Sequence, residues 1–203
     1  MFTGIIEETG RVLSLSQDPS SNIWNLLLRA KKIPAQAAIG DSIAVSGCCL
    51  TVTKLPSADT LSFDLLDETL RKTSFHRLSQ SSTVNLEPSL TPNSRMGGHF
   101  VTGHIDTTGE VLFLAPDGAN HRLRLRPPAH FLKYLAYKGS VAVDGISLTV
   151  ASVDDDSGTF DIWLIPHTLE NTNLRELRPG DPANLEFDIL AKYVERLTAA
   201  QMV

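Results

Sequence analysis

Three side chains of this sequence are suited to nucleophilic or acid–base chemistry: Cys49, Ser147 and His104. A thiol or a hydroxyl can add to an electrophilic carbon, and an imidazole, which titrates near neutral pH, can move the proton. Sequence spacing does not by itself show that a cysteine and a histidine meet. Cys48 and Cys49, the two cysteines, are adjacent, so they cannot link distant segments or complete a four-ligand zinc site. We therefore expect chemistry without a metal, in a reducing, cytoplasmic setting.

These residues belong to a chain that repeats itself. Four blocks recur in the same order, three of them 99 positions later (102 − 3) and one 98 positions later (140 − 42). So many ordered blocks at nearly one offset indicate an internal duplication. The pairs of blocks are 3–13 with 102–112, 42–52 with 140–150, 68–70 with 167–169, and 85–87 with 184–186.

The two copies differ at positions where chemistry is expected. Positions that the copies share, such as Thr51 and Thr149, would hold the fold or a common ligand, whereas unlike positions can divide the chemical work. The duplication therefore predicts two similar sites with different reactive groups. The unlike pairs are Cys49 and Ser147, Ile5 and His104, Ser46 and Asp144, and Glu68 and His167.

Each of these residues also has a plain structural interpretation. The repeated glycines most often mark turns or bulges, the threonines at 51 and 149 are typical of strands, and a cysteine in an apolar strand is usually inert. His99 and His104 lie five residues apart, which places them on opposite faces of an extended segment. We therefore do not expect these two histidines to bind one metal ion together.

The elements that must position these residues are short β-strands separated by turns. Residues 121–126 alternate polar and apolar side chains, as a half-buried strand does. Five or six such strands in about 90 residues predict a closed antiparallel barrel for each copy. A helix is predicted over 127–135, with a weaker copy over 34–39. The other predicted strands are 43–45, 50–53 and 61–66, and 141–143, 148–153 and 160–165.

The tail after the second copy has no counterpart after the first. Its apolar residues fall at helical spacing and predict one more helix with a single apolar stripe. Periodicity alone leaves open whether this helix covers its own barrel or joins subunits. The stripe consists of Leu190, Val194, Leu197 and Gln201, with Tyr193 and Ala200 beside it.

Composition narrows the classes of function. The 203 residues carry a net charge of −5, which argues against binding to a nucleic-acid backbone. The first residues lack the basic and apolar pattern of a signal peptide, and no apolar run approaches the roughly 20 residues that cross a bilayer. We expect neither a nucleic acid nor a membrane as partner.

Taken together, four motifs resemble the riboflavin synthase family over residues 1 to about 190. They are Met1-Phe2-Thr3-Gly4-Ile5, Gly47-Cys48-Cys49-Leu50-Thr51-Val52, Gly97-Gly98-His99-Phe100-Val101-Thr102-Gly103-His104, and Lys138-Gly139 with Asp144-Gly145-Ile146-Ser147-Leu148-Thr149-Val150. The resemblance implies an all-β fold of two tandem six-stranded antiparallel Greek-key barrels, 1–98 and 99–189, and a C-terminal helix, 190–203, that gathers a homotrimer. It implies transfer of four carbons between two molecules of 6,7-dimethyl-8-ribityllumazine, without a cofactor, and an association with lumazine synthase.

The resemblance also implies two substrate pockets that face one another across subunits. Ser42 would contact substrate, and Lys138, Asp144 and Asp188 would line or support the site. The catalytic candidates are His104 for proton transfer, with Cys49, Ser147, Thr149, Lys138, Asp144 and Asp188. The first pocket would comprise Cys49, Leu50, Thr51, Asp64, Leu65, Leu66, Asp67, Glu68, Thr69, Gly103, His104 and Ile105. The second would comprise Gly4, Ile5, Ile6, Ser147, Leu148, Thr149, Leu164, Ile165, Pro166, His167, Thr168 and Leu169.

The sequence departs from the family pattern at a few positions. Ser46 stands where asparagine is common, His167 where glutamate is common, and Ser81-Ser82 where Gly-Asp is common. Two alternatives remain at this point. One is a non-catalytic relative that holds a lumazine or flavin and fluoresces, and the other is a Cys-His acyl transferase.

Overall fold

The computed structural model describes residues 1–199, and these form two closed antiparallel barrels of six strands each. The strands of the first barrel follow the order β1-β2-β5-β4-β3-β6, and those of the second repeat it as β7-β8-β11-β10-β9-β12. In both barrels the second strand neighbours the fifth instead of the third, as in a Greek key. The first barrel consists of β1 (Glu8–Gln17), β2 (Trp24–Arg29), β3 (Ser42–Val45), β4 (Cys48–Ser57), β5 (Thr60–Leu65) and β6 (Thr83–Pro88). The second consists of β7 (Thr107–Asp117), β8 (Asn120–Arg126), β9 (Ser140–Val143), β10 (Ile146–Asp154), β11 (Thr159–Leu164) and β12 (Pro182–Phe187).

Each barrel has its own apolar core, built from alternate strand positions. In β8, Leu123 and Leu125 are fully buried, while Arg122 and Arg124 face outward and bind the carboxylate of Asp161. This is the alternation predicted for residues 121–126, and the predicted duplicated barrel architecture is confirmed.

Two tight hairpins, β3–β4 and β9–β10, occupy equivalent places in the barrels. Their turn residues all have positive φ: Ser46 (40°) with Gly47 (84°), and Asp144 (46°) with Gly145 (81°). Such turns favour Asn-Gly or Asp-Gly, because asparagine and aspartate tolerate the left-handed region better than most residues. The departure at Ser46 therefore falls where the backbone disfavours serine.

The start of each half of the chain crosses to the other barrel. Ile6 packs against the core of the second barrel, and Ile105 packs against the core of the first. Between them, Phe2 and Val101 form an isolated antiparallel bridge and are buried with Ala44 and Ala142. The two barrels are thus clasped by an exchange of segments, which the repeat alone did not predict.

The helices are short and lie between strands or at the end. The predicted helix at 127–135 is a 3-10 helix, Ala129–Tyr134, and its copy is the 3-10 helix Ile33–Ala35. Each barrel also carries a short α-helix and a 3-10 turn that periodicity did not reveal, because six residues are too few to show a stripe. They are α1 (Asp67–Lys72) with Ser74–Arg77, and α2 (Pro166–Asn171) with Asn173–Glu176.

The predicted C-terminal helix is confirmed as α3, Ile189–Ala199. Its polar side faces the second barrel, where Lys192 binds Asp106 and Glu195 binds Lys133 and Tyr134. The interpretation that the apolar stripe covers its own barrel is wrong. Gln201 of the predicted stripe and Ala200 beside it lie outside the described residues. The remaining four, Leu190, Tyr193, Val194 and Leu197, are exposed. No helix within residues 1–199 combines the length and the apolar character needed to span a membrane.

Candidate active site

The crossed segments bring the predicted pocket residues together in pairs. The amide of Cys49 donates to the carbonyl of Gly103 (2.7 Å), and the amide of Ser147 donates to the carbonyl of Gly4 (2.8 Å). A Cβ on Gly103 would lie 2.5 Å from the Cβ of Cys49, and a Cβ on Gly4 would lie 2.6 Å from the nitrogen of Ser147. Since both glycines also have φ near +80°, side chains are excluded at these two crossings on two grounds.

Two buried carboxylates hold the crossing segments in place. Glu87 accepts hydrogen bonds from the amide and hydroxyl of Thr3 (2.7 and 2.8 Å) and from the amide of Gly4 (2.9 Å). Glu186 repeats this with Thr102 (2.6 and 2.7 Å) and Gly103 (2.9 Å). Burial raises the pKa of Glu87, although the three hydrogen bonds act in the opposite direction. The sequence identifies both glutamates only as members of a repeated block, and it does not reveal these contacts.

In the first barrel the structure groups a thiol, two hydroxyls and an imidazole. Thr51 is exposed and pairs across the sheet with Ser42, so their hydroxyl groups belong to neighbouring strands. Cys49 is half-buried on the same strand, β4. The exposed His104 follows Gly103, which is bonded to the amide of Cys49. The residues predicted for the first pocket therefore include neighbours that come from both halves of the chain.

The second barrel repeats this arrangement with different side chains. Thr149 is exposed and pairs with Ser140, as Thr51 pairs with Ser42. Ser147 stands in the place of Cys49. Ile5, more than half exposed, stands in the place of His104. The thiol and imidazole of the first pocket are thus replaced by a hydroxyl and an apolar side chain.

Two equivalent apolar side chains lie at the ends of the fifth strands of the barrels. Leu66 directly precedes α1 and Ile165 directly precedes α2, and they are 66% and 55% exposed. Large apolar side chains this exposed offer a flat ring a surface. Three other predicted contact residues, Leu50, Leu65 and Leu164, are buried in the barrel cores, so only their backbone atoms can reach a ligand. The remaining exposed or half-buried positions of these segments are Asp64, Asp67, Glu68, Thr69, Pro166, His167, Thr168 and Leu169.

Two of the predicted supporting residues lie near the second barrel's surface. Lys138 is exposed, has a φ of +64° and stands over the ring of Tyr137 at 5.2 Å. Asp188 accepts a hydrogen bond from the amide of Leu190 (2.9 Å) and so caps α3. A polar partner that sequence reasoning missed is His99, whose Nδ1 lies 2.7 Å from the Oγ of Ser147. In the sequence, the adjacent glycines Gly97 and Gly98 were the one sign that the chain makes a close approach just before His99.

The two cysteines differ in their surroundings. Cys48 is buried in the core of the first barrel, and burial raises the pKa of its thiol to about 12. Its thiolate is therefore not accessible near neutral pH. Cys49 packs beside Phe2 at the crossing of the segments and retains partial exposure.

Asp144 lies between the barrels, away from solvent. Its carboxylate accepts hydrogen bonds from the amide of Asn184 and from the side chain of Asn173, both at 2.8 Å. Asn85 donates from its side chain to the backbone carbonyl of Asp144 (2.9 Å), and Asn184 donates likewise to the carbonyl of Ser46 (2.9 Å). The contacts of Asp144 therefore place it in the joint between the barrels, where it lines a cavity of about 240 Å³ that no other predicted site residue lines. A part in catalysis gains no support from this placement.

Asp144 should make the stability of the protein depend on pH. Burial raises its pKa from 3.8 to about 6, so the folded state holds the proton more tightly than the unfolded chain. Stability then falls as the pH rises through this range. We expect wild type to lose up to about 3 kcal/mol of unfolding free energy relative to Asp144→Asn between about pH 4 and pH 7.5.

Urea unfolding at several pH values measures this difference. Asp155→Asn, at an exposed carboxylate, controls for the change of net charge. A gap between wild type and Asp144→Asn that stays constant across the pH range would contradict the expectation.

A separate cavity of about 410 Å³ lies beside the first barrel, next to the residues that follow β6. Of the predicted substrate contacts, it is lined by Ile5 and Ser42. The other exposed predicted contacts, among them Thr51, Leu66, Thr149 and Ile165, lie outside this cavity. Within residues 1–199, no group of three or more His, Cys, Asp or Glu side chains is placed to hold a metal ion.

Comparison with known proteins gives matches over almost the whole chain. A model of the lumazine binding domain matches residues 3–89 and again residues 102–188. Riboflavin synthase of Actinobacillus pleuropneumoniae is 41% identical over 196 residues, which are 97% of this chain and 89% of that protein. Riboflavin synthase of Bacillus subtilis is 40% identical over 196 residues, again 97% of this chain and 89% of that protein.

A solved structure extends the likeness to three dimensions. The crystal structure of LumP complexed with riboflavin has a TM-score of 0.82 and 25% identity, and covers 92% of this chain and 99% of that one. Two matched domains and two relatives at 40% identity or more cover both barrels. The chain therefore belongs to the riboflavin synthase family of tandem lumazine-binding barrels.

Proposed function

We propose that this chain converts two molecules of 6,7-dimethyl-8-ribityllumazine into riboflavin and 5-amino-6-(D-ribitylamino)uracil. One molecule donates four carbon atoms and the other accepts them, and the acidic 7-methyl group of the lumazine supplies the carbanion. The observation that carries the proposal is the presence of two equivalent crossings with unlike side chains, Cys49 with His104 and Ser147 with Ile5. Such a pair suits a reaction in which the same heterocycle plays two different parts.

The proposed contacts are of two kinds: apolar side chains that cover the ring of the lumazine, and hydroxyl groups that bind its ribityl chain. Leu66 and Ile165 would cover the apolar face of a bound ring, which the large exposed area of both side chains supports. The strand threonines, Thr51 and Thr149, would hydrogen-bond the ribityl chain. Positioning two reactants in fixed geometry removes much of the entropic barrier of a bimolecular step.

An assay with a single substrate tests the function against its closest rival. Purified protein given the lumazine alone should release riboflavin and the uracil product in equal amounts. Strong fluorescence of bound lumazine without any riboflavin would instead identify a non-catalytic binder. Iodoacetamide labelling of Cys49 tests the other alternative. If acyl substrates prevent this labelling and lumazine does not, the result favours an acyl transferase.

We assign proton transfer at the 7-methyl group to His104. Its imidazole is exposed, and its backbone directly follows Gly103, whose carbonyl accepts a hydrogen bond from the amide of Cys49. His104→Gln is expected to slow single turnover about 10²-fold, because an amide cannot accept the proton. His130→Gln, at another exposed histidine, is the control and should keep the wild-type rate. An unchanged rate for His104→Gln at several pH values would refute the assignment.

From the resemblance we extend the proposal to a cytoplasmic homotrimer that associates with lumazine synthase. Residues 1–98 would hold one lumazine and residues 99–189 the other, while residues 190–203 would join the subunits. The exposed apolar stripe of α3 supports this division, since its four side chains lie in water when the chain is alone. Catalysis across subunits would then require assembly.

A charge in the stripe tests the role of α3. Val194→Glu is expected to convert the trimer into monomers and to lower turnover at least about tenfold, because a buried unpaired carboxylate would cost several kcal/mol per interface. Sedimentation velocity gives the mass. Arg196→Glu, on the polar side of the same helix, should remain trimeric. Identical sedimentation of both variants and wild type would remove α3 from the interface.

A further inference from the structure

His99 occupies the joint between the two halves of the chain and reaches into the second pocket. Its amide donates to the carbonyl of Thr3 (3.1 Å), and its Nδ1 lies 2.7 Å from the Oγ of Ser147. Both ends of the residue are therefore fixed, the backbone to the crossing segment and the ring to β10.

Gly98 makes this approach possible. A Cβ on Gly98 would lie 2.0 Å from the carbonyl oxygen of Thr3 and 2.9 Å from the Oγ of Ser147. Any other residue at this position would push the segment away from Ser147 and break the contact of His99. The second glycine of the motif thus has a local purpose, which is to seat the imidazole against the hydroxyl.

The pair belongs to the second pocket. Cys49, the equivalent of Ser147, packs instead beside the ring of Phe2 in the small cluster between the barrels. The two residues share their backbone bond to a crossing glycine but differ in what faces their side chains. This is a further difference between the pockets, added to the replacement of Cys49 by Ser147 and of His104 by Ile5.

The ring of His99 is enclosed on its other side. Its Nε2 is buried and has no hydrogen-bond partner within residues 1–199. Burial lowers the pKa of the imidazole below 6.5, and the carboxylate of Asp188 opposes this shift. A neutral ring with one engaged nitrogen holds the hydroxyl of Ser147 in one orientation.

We infer that His99 is a positioning residue of the second pocket, which acts by fixing the direction in which the hydroxyl of Ser147 meets the bound lumazine. The inference rests on the proposed function. The Nδ1 of His99 occupies one hydrogen-bonding position of the Ser147 hydroxyl. The other hydrogen-bonding positions of that hydroxyl are then directed toward the pocket. His99 itself need not touch the substrate.

A double-mutant cycle in the complete protein tests this. His99→Asn, which has no titrating ring, and Ser147→Ala are each expected to lower kcat about tenfold or more while KM changes less than about twofold. If His99 acts through Ser147, adding His99→Asn to Ser147→Ala should change kcat less than about twofold further. His76→Asn is the control, because the Nδ1 of His76 bonds a backbone carbonyl far from this site in sequence.

If His99→Asn lowers kcat by the same factor in wild type and in Ser147→Ala, the inference is overturned. A wild-type kcat in the single variant His99→Asn would overturn it as well. Urea unfolding of each variant separates a loss of fold from a loss of positioning. If wild type makes no riboflavin, the proposed function fails, and the pair is then read by NMR. The ring nitrogen shifts of His99 should change in Ser147→Ala, and unchanged shifts would show that the pair does not exist in solution.

Discussion

Replacing Gly103 with alanine is expected to disable the first pocket and lower turnover at least about 10²-fold, because displacement of reacting groups by about 1 Å costs this much. The added Cβ would lie 2.5 Å from the Cβ of Cys49 and 2.8 Å from the ring of Phe2. Both neighbours are held in the joint between barrels, so the segment itself must move. Its movement would break the bond between the amide of Cys49 and the carbonyl of Gly103. Steady-state turnover and ligand titration measure the two consequences.

Gly180→Ala is the matched control for this substitution. Gly180 has a φ of +88°, similar to +83° at Gly103, but nothing lies within 4 Å of the position of its Cβ. The first barrel tolerates Ser81 at the equivalent position, with a φ of +71°. We expect Gly180→Ala to cost about 1–2 kcal/mol of stability through backbone strain and to keep its activity. Near-normal turnover by Gly103→Ala would show that the crossing does not shape the pocket.

Asn184→Ala is expected to lower the free energy of unfolding by about 2–5 kcal/mol, since each buried group left without a partner costs about 1–3 kcal/mol. The side chain of Asn184 is fully buried, donates to the carbonyl of Ser46 and accepts from the amide of Ser74 (2.6 Å). Both partners belong to the first barrel, while Asn184 lies on β12 of the second. The loss therefore falls on the joint that holds the barrels together.

Urea unfolding followed by two probes measures this loss. Asn85→Ala should behave similarly, because Asn85 makes the equivalent bonds to the carbonyl of Asp144 and the amide of Asn173 (2.8 Å). Asn93→Ala, at an exposed turn residue, is the control. A stability of Asn184→Ala within about 0.5 kcal/mol of wild type would mean that the joint contributes little.

Much of the fold was predictable because the sequence contains two copies of the same unit. Each recurring block corresponds to the same strand, turn or helix in both barrels, so the duplication and the short strands together predict two barrels. The tail helix was visible as an apolar stripe. Its exposure was not, since periodicity shows that a helix has an apolar side but not what covers it.

The joint between the barrels was less predictable. Glu87 and Glu186 were recognised as repeated residues, yet nothing in their spacing showed that each holds a segment crossing to the other barrel. The same is true of His99, whose partner Ser147 is 48 residues away. Contacts of this kind depend on how two closed barrels pack against each other. A local pattern of residue types does not show that packing.

The proposed reaction requires two ring-binding pockets in each chain. A lumazine that lacks the 7-methyl group cannot supply the carbanion, so it should bind without reacting and can be titrated at equilibrium. Wild type should bind two molecules per chain, and Gly103→Ala should bind one. One molecule per chain in wild type, with the second barrel closed to ligand, would contradict the proposed two-pocket reaction.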